Sequence, residues 1–188
     1  MTRRVDDIPL ELKNRLMRAP RLPARTHEDC AMNEREKELQ SWFRTTCPLF
    51  DHIGLVVESA SDGVFRCTVP LTPENSNHFD TVHAAIQWAS AEVLGGLVVM
   101  SIVPLERRTQ TFAAVRSVNI EFLRPARTSI VAETRFDPAE SVAIRAALDE
   151  GRNSEFSLES TVRDATGEPV AIAQARYVLR PWRQSATA

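Results

Sequence analysis

Apolar and polar positions along the chain alternate with two periods, and the change of period marks the elements. From Asn33, a plausible N-cap, Leu39, Trp42 and Phe43 recur at helical spacing, which predicts a helix to about Thr45. Two β-rich runs follow, Ile53 to Ala60 and Val64 to Leu71. Ser61-Asp62-Gly63 separates them, and Asp-Gly supplies the positive φ of a tight hairpin turn. Pro73 and the polar stretch 74–77 read as a loop. A longer apolar helix is predicted from about Thr81 to Val99, capped by Asp80 or Thr81.

The second half reads as four strands. Val118, Ile120 and Phe122 alternate with polar neighbours, and Arg124-Pro125-Ala126-Arg127 ends that run. Ile130, Ala132, Thr134 and Phe136 share the next face, and Asp137-Pro138-Ala139-Glu140 then opens a short inserted helix over 138–150. Phe156, Leu158, Ser160 and Val162 line another strand. In the last, over 170–179, Ala171, Ala173, Ala175, Tyr177 and Leu179 fall on one face, where small side chains let a helix lie close. Helix, hairpin, long helix and four strands make an α+β fold, an antiparallel sheet wrapped on one long central helix.

Before this body lies an extension, residues 1–32, in which Ile8 to Arg18 could form a short helix with Ile8, Leu12 and Leu16 on one side. The domain proper is expected over 33–183, with a tail at 184–188. The chain of 188 residues is 43% hydrophobic and carries a formal net charge of −2, which argues against a dedicated nucleic-acid binder. Three cysteines (Cys30, Cys47, Cys67) without CxxC spacing suit a reducing compartment, and no secretory leader or 20-residue apolar run is apparent. A cytoplasmic location is the expectation, with neither membrane nor nucleic acid as partner.

One segment carries chemistry. Asn77-His78-Phe79-Asp80-Thr81-Val82-His83-Ala84-Ala85, followed by Glu92, resembles the motif of hotdog-fold thioesterases, in particular the PaaI-like acyl-CoA thioesterases. Their pattern runs Asn, then Gly-Thr and a small or apolar residue, then His-Gly-Gly, with an acid nine positions after the histidine. Both spacings match here. Ser117 to Arg127, a strand running into Arg-Pro-Ala-Arg, is a second likeness, and the whole spans about 35–181. The chain departs from the pattern at Asp80, where glycine is usual, at Ala84-Ala85 in place of the glycine pair, and at the inserted helix. These departures place it closer to a less characterised subgroup.

The resemblance implies acyl-CoA hydrolysis in a homodimer or dimer of dimers, at a site between subunits, without a metal or cofactor beyond the coenzyme A of the substrate. Thioester hydrolysis needs a donor for the carbonyl oxygen, a carboxylate, and a water or covalent route to the carbon. The backbone amide of Ala84 or Ala85 is the candidate donor, since amides in a first helical turn are unpaired. Glu92 is the candidate base or nucleophile, with burial expected to raise its pKa. Nine residues of helix put Glu92 about half a turn out of phase with His83 and ~13.5 Å along the axis, so a two-fold partner must supply one of them. Asn77 and His83 would shape the site, and Val82, Ile86 and Trp88 would line the acyl group. Arg124 and Arg127 are candidates for coenzyme A phosphates. A non-catalytic acyl-CoA-binding protein and a hotdog hydratase or dehydratase are the alternatives.

Overall fold

The computed structural model describes residues 33–181, and the extension and its candidate helix at 8–18 lie outside them. Helix α1 (Glu34–Thr46) starts at a complete capping box, in which Asn33 Oδ1 accepts from Glu36 N and Glu36 returns the bond to Asn33 N. A short helix α2 (Pro48–His52), not evident from the pattern, leads into β1 (Val56–Ser61) and β2 (Val64–Val69). Asp62 and Gly63 between them have φ of 53° and 72°, as the Asp-Gly reading required. A Cβ on Gly63 would stand 2.7 Å from the Phe136 carbonyl oxygen, so this turn needs glycine for space as well as for φ.

The long helix α3 spans Ala84–Ile102, three residues later at both ends than expected, and its N-cap is His83 rather than Asp80 or Thr81. The reason is local. Asp80 is left-handed (φ 54°), and Val82 N donates to Ala126 O while His83 N donates to Asn75 O, so the chain stays extended through 83. After a 3₁₀ turn (Leu105–Gln110) come β3 (Thr111–Phe122), β4 (Ile130–Arg135), α4 (Pro138–Asp149), β5 (Ser154–Asp164) and β6 (Pro169–Pro181). Helix α4 is the predicted insertion, with Asp137 as its N-cap.

All six strands form one antiparallel sheet in the order β1-β2-β4-β5-β6-β3. Register places Cys67, Ala132, Val162 and Ala171 side by side across four strands, all fully buried under α3. Alternation in each strand thus builds a single apolar face, and α3 crosses it touching every strand. The expected hotdog arrangement is what forms.

The small residues of β6 do what their size suggests. Ala171, Ala173 and Ala175 are buried, and beyond them the Tyr177 ring lies flat against α3 at Gly95. A Cβ there would fall 2.0 Å from the ring, so this crossing excludes any larger residue. Tyr177 stacks on Phe156 (centroids 4.9 Å apart), which meets Phe136 edge-on (5.1 Å). At the far end of α3, Arg145 of α4 donates to the carbonyls of Ile102 (3.0 Å) and Ser101 (3.4 Å), and Arg108 to that of Met100 (3.2 Å). Two cations therefore complement the negative end of the helix dipole, which gives the inserted helix a structural task. By length and composition α3 could cross a bilayer, but 61% of that window is buried inside the fold, as a core helix is.

Candidate functional site

Residues 77–83 are shaped by one amide. Asn77 Oδ1 accepts from Phe79 N (2.9 Å), Thr81 N (3.3 Å) and Thr81 Oγ1 (3.1 Å), and the Asn77 backbone bonds Thr81 O and Asp80 N in turn. The loop is fixed from behind by Asn75, fully buried, whose Nδ2 donates to Ile53 O and Pro70 O. Asn77 therefore closes its loop, and its side-chain oxygen is spoken for. Asn75 carries as much of the loop's shape and was not singled out by the sequence motif.

His83 ends the loop as the N-cap of α3. Its Nδ1 accepts from Ala85 N (3.0 Å). This bond separates the two candidate amides: the Ala85 N–H is satisfied by His83, whereas the Ala84 N–H meets no acceptor among the described residues. Ala84 thus offers an unpaired donor at the positive end of a helix.

A groove of about 510 Å³ opens at this point. Asn77, Val82, Ala84 and Gln87 form one wall, and Arg124 and Arg127, from the turn after β3, the other. The Val82–Ala126 backbone bond (2.8 Å) ties the walls together. Five predicted site residues therefore share one cavity. The two arginines differ: Arg124 is engaged, its Nε with Pro169 O and its Nη2 with Glu168, whereas Arg127 is exposed and makes no ion pair within the described fold.

The other predicted residues lie elsewhere on α3. Ile86 is half-buried and packs on the core. Ala85, Trp88 (38% exposed) and Glu92 follow one another at helical spacing along a stripe of α3 that no described element covers. Glu92 is about 12 Å along the axis from Ala84, so one chain does not bring them together. Burial raises the Glu92 carboxyl above the ordinary glutamate range. Its backbone carbonyl accepts from Tyr177 Oη (2.9 Å), and burial together with the Glu92 charge pushes that phenol's pKa up as well. Ser90 bonds back to Gln87 O (2.8 Å) and does not assist Glu92.

Sequence reasoning also passed over Gln87, a polar residue inside an apolar helix and 4% exposed. Its Nε2 donates to Val82 O (3.0 Å), while its Oε1 is buried without a donor among the described residues. Among the described residues no cluster of three His, Cys, Asp or Glu could hold a metal ion.

Comparison with known proteins agrees with this picture. Residues 36–179 match the family described as "Domain of unknown function (DUF4442)". A Halobacterium salinarum protein named as a candidate esterase is 29% identical over 138 residues, covering 72% of this chain and 85% of its own. Among solved structures, a Pseudomonas aeruginosa protein named as a probable thioesterase is 27% identical with a TM-score of 0.66, covering 77% of this chain and 95% of that one. A Shewanella oneidensis thioesterase candidate superposes with a TM-score of 0.67 at 19% identity, covering 80% of this chain and 100% of its own, a likeness of fold. With its sheet wrapped on one helix and its motif at that helix's start, the chain belongs to the DUF4442 family and has the hotdog fold of the thioesterase superfamily.

Proposed function

We propose that the protein hydrolyses acyl-CoA thioesters at a site shared by two copies of the chain. The observation that carries this reading is the Ala84 N–H, unpaired among the described residues, in the wall of the groove. A thioester carbonyl set there gains a preorganised donor and the helix dipole as charge develops on its oxygen. Asn77 and His83 hold the loop that presents this amide and touch no reacting atom in this reading. Arg127 is placed to meet coenzyme A phosphates, and Arg124 would do so only with what its bonds to Pro169 and Glu168 leave free.

The carboxylate comes from the partner. Glu92 stands on the uncovered stripe of α3, and β3 is a twelve-residue edge strand with no fully buried residue and no neighbour beyond it among the described residues. Pairing β3 with β3 of a second copy would satisfy that edge and bring the two stripes together. The partner's Glu92, as base or nucleophile, would then face this chain's Ala84, with Val82, Ile86 and Trp88 along the acyl group. The esterase and thioesterase names of the relatives support hydrolysis in general. No cofactor is needed, and a cytoplasmic location fits the substrate.

A second reading, binding without turnover, draws on the methyl group that Ala84 brings to the point where thioester atoms approach. Thiol release from short, medium, long and aryl acyl-CoAs by wild type and Glu92→Gln decides between them. Turnover falling about 10² to 10⁴-fold in the variant is the expected result. Binding of acyl-CoA without thiol release from either protein would establish the second reading.

A further inference from the structure

A buried amide oxygen without a donor is rare in a folded protein, because it forfeits its hydrogen bond to water and gains nothing in return. Gln87 holds such an atom. The residue is 4% exposed, its Nε2 is fixed on Val82 O at 3.0 Å, and its Oε1 has no partner among the described residues. It stands three residues from Ala84 and so on the next turn of the same helix side, in the wall of the same groove. At the start of α3 a donor and an acceptor, both unpaired among the described residues, therefore lie within one helical turn of each other. The donor suits a carbonyl oxygen, and the acceptor suits a group that carries hydrogen beside that carbonyl. In hydrolysis that group is water.

Building on the thioesterase reading, we infer that Gln87 is a positioning residue whose Oε1 accepts a hydrogen bond from the attacking water. The bond from Nε2 to Val82 O sets the direction of the amide, so that the oxygen and not the nitrogen is the half left for the ligand. The water oxygen bonds to the thioester carbon while one of its protons passes to the partner's Glu92. The carbonyl π pair moves onto the oxygen beneath the Ala84 N–H. Collapse of the adduct breaks the carbon–sulfur bond, and the sulfur takes the proton back from Glu92 and leaves as the thiol. Gln87 exchanges no proton. Water attacking directly makes Glu92 a general base rather than a nucleophile.

The test compares wild type, Gln87→Met and Gln87→Glu in thiol release at pH 8, with KM and thermal midpoint measured alongside. Methionine keeps the volume and removes both polar groups, whereas glutamate keeps an acceptor and removes the amide donor to Val82. The expected result is a kcat about tenfold lower in Gln87→Met, as for one lost hydrogen bond in the transition state. KM should stay within about twofold, and Gln87→Glu should recover most of the loss. Equal losses of kcat in both variants, tracking their thermal midpoints, would mean that only the bond to Val82 matters and would overturn the inference. Unchanged kcat in Gln87→Met would overturn it while leaving the thioesterase intact. A wild-type protein that releases no thiol from any substrate removes the thioesterase reading and this inference with it.

Discussion

At one edge of the sheet, the backbone groups of β1 that would invite another strand are taken by a side chain. Gln40 of α1 donates from Nε2 to Leu55 O (2.8 Å) and accepts from Val57 N (2.6 Å), filling the place of a neighbouring strand with one buried amide. The strand is also short, six residues, and irregular between Val57 and Ser59. At the opposite edge β3 runs for twelve residues with Phe112 and Phe122 exposed, and among the described residues no helix but α3 packs on it. Its irregularity between Val115 and Ser117 leaves a long pairing surface on either side. Edges that stay single are shortened, bulged or covered. The β1 edge has all three devices, and β3 has the length of a strand that expects a partner. The candidate site lies with the open edge: the Arg124–Arg127 turn continues β3, and the uncovered stripe carrying Glu92 belongs to α3.

The largest effect should come from closing the open edge with charge. Ser117 and Asn119 are exposed on β3, and replacing both by lysine puts positive charge along the edge that a second copy of β3 would pair with. The double variant should remain folded, sediment as a monomer at concentrations where wild type does not, and lose thiol release by about 10²-fold, the range for removal of a positioned acid or base. Full activity in a demonstrated monomer would show that Glu92 is not borrowed across subunits.

Opening the closed edge should cost stability rather than activity. Gln40→Leu keeps the packing volume and strips Leu55 O and Val57 N of their partners. Two buried bonds lost together should destabilise the fold by about 3 kcal/mol, read as a lower midpoint in urea. With β1 now exposed, the variant should also aggregate more readily on refolding. A midpoint unchanged from wild type would mean that water or the relaxed strand replaces Gln40.

Much of the fold was legible because burial follows a period. The strand faces through Ile130–Ala132 and Phe156–Val162 and the Ala171–Leu179 row read directly as inward positions, and the caps at Asn33 and Asp137 lie where side-chain chemistry puts them. The start of α3 was not legible. Asp80 and Thr81 have N-cap side chains, but long-range bonds from Val82 to Ala126 and from His83 to Asn75 hold the backbone extended past them. No local rule contains those bonds. For the candidate site, the motif named the loop and its histidine, but it could not say that Asn77 spends its oxygen on residues 79 and 81, nor that His83 occupies the Ala85 amide and leaves that of Ala84 free. Gln87 could have been noticed as a lone amide in an apolar helix, and Gln40 could not, because its partners are 15 and 17 residues away on a strand edge.

The smallest effect belongs to Glu92, where the open edge and the chemistry meet. Burial raises its carboxyl above the ordinary glutamate range, so the folded chain holds this proton more tightly than the unfolded chain. Stability then falls as pH rises from the ordinary glutamate range, about 4.3, up to the raised value, and is level above it. Glu92→Gln cannot ionise and should be free of that decline. The two proteins should therefore be equally stable at low pH, with the variant the more stable at neutral pH. If Glu92 is the base of the proposed hydrolysis, the same shift should move the rise of kcat/KM with pH upward, since a base must first lose its proton. The lysine variant of β3 sharpens the point. The burial that raises Glu92 lies within one chain, so the lysine variant should keep this decline as a monomer, and a wild type that pairs through the α3 stripe should show a steeper one. Denaturant titrations of the three proteins at a series of pH values would measure the difference, and identical pH dependences in the lysine variant and wild type would place Glu92 outside any contact that the β3 edge makes between copies.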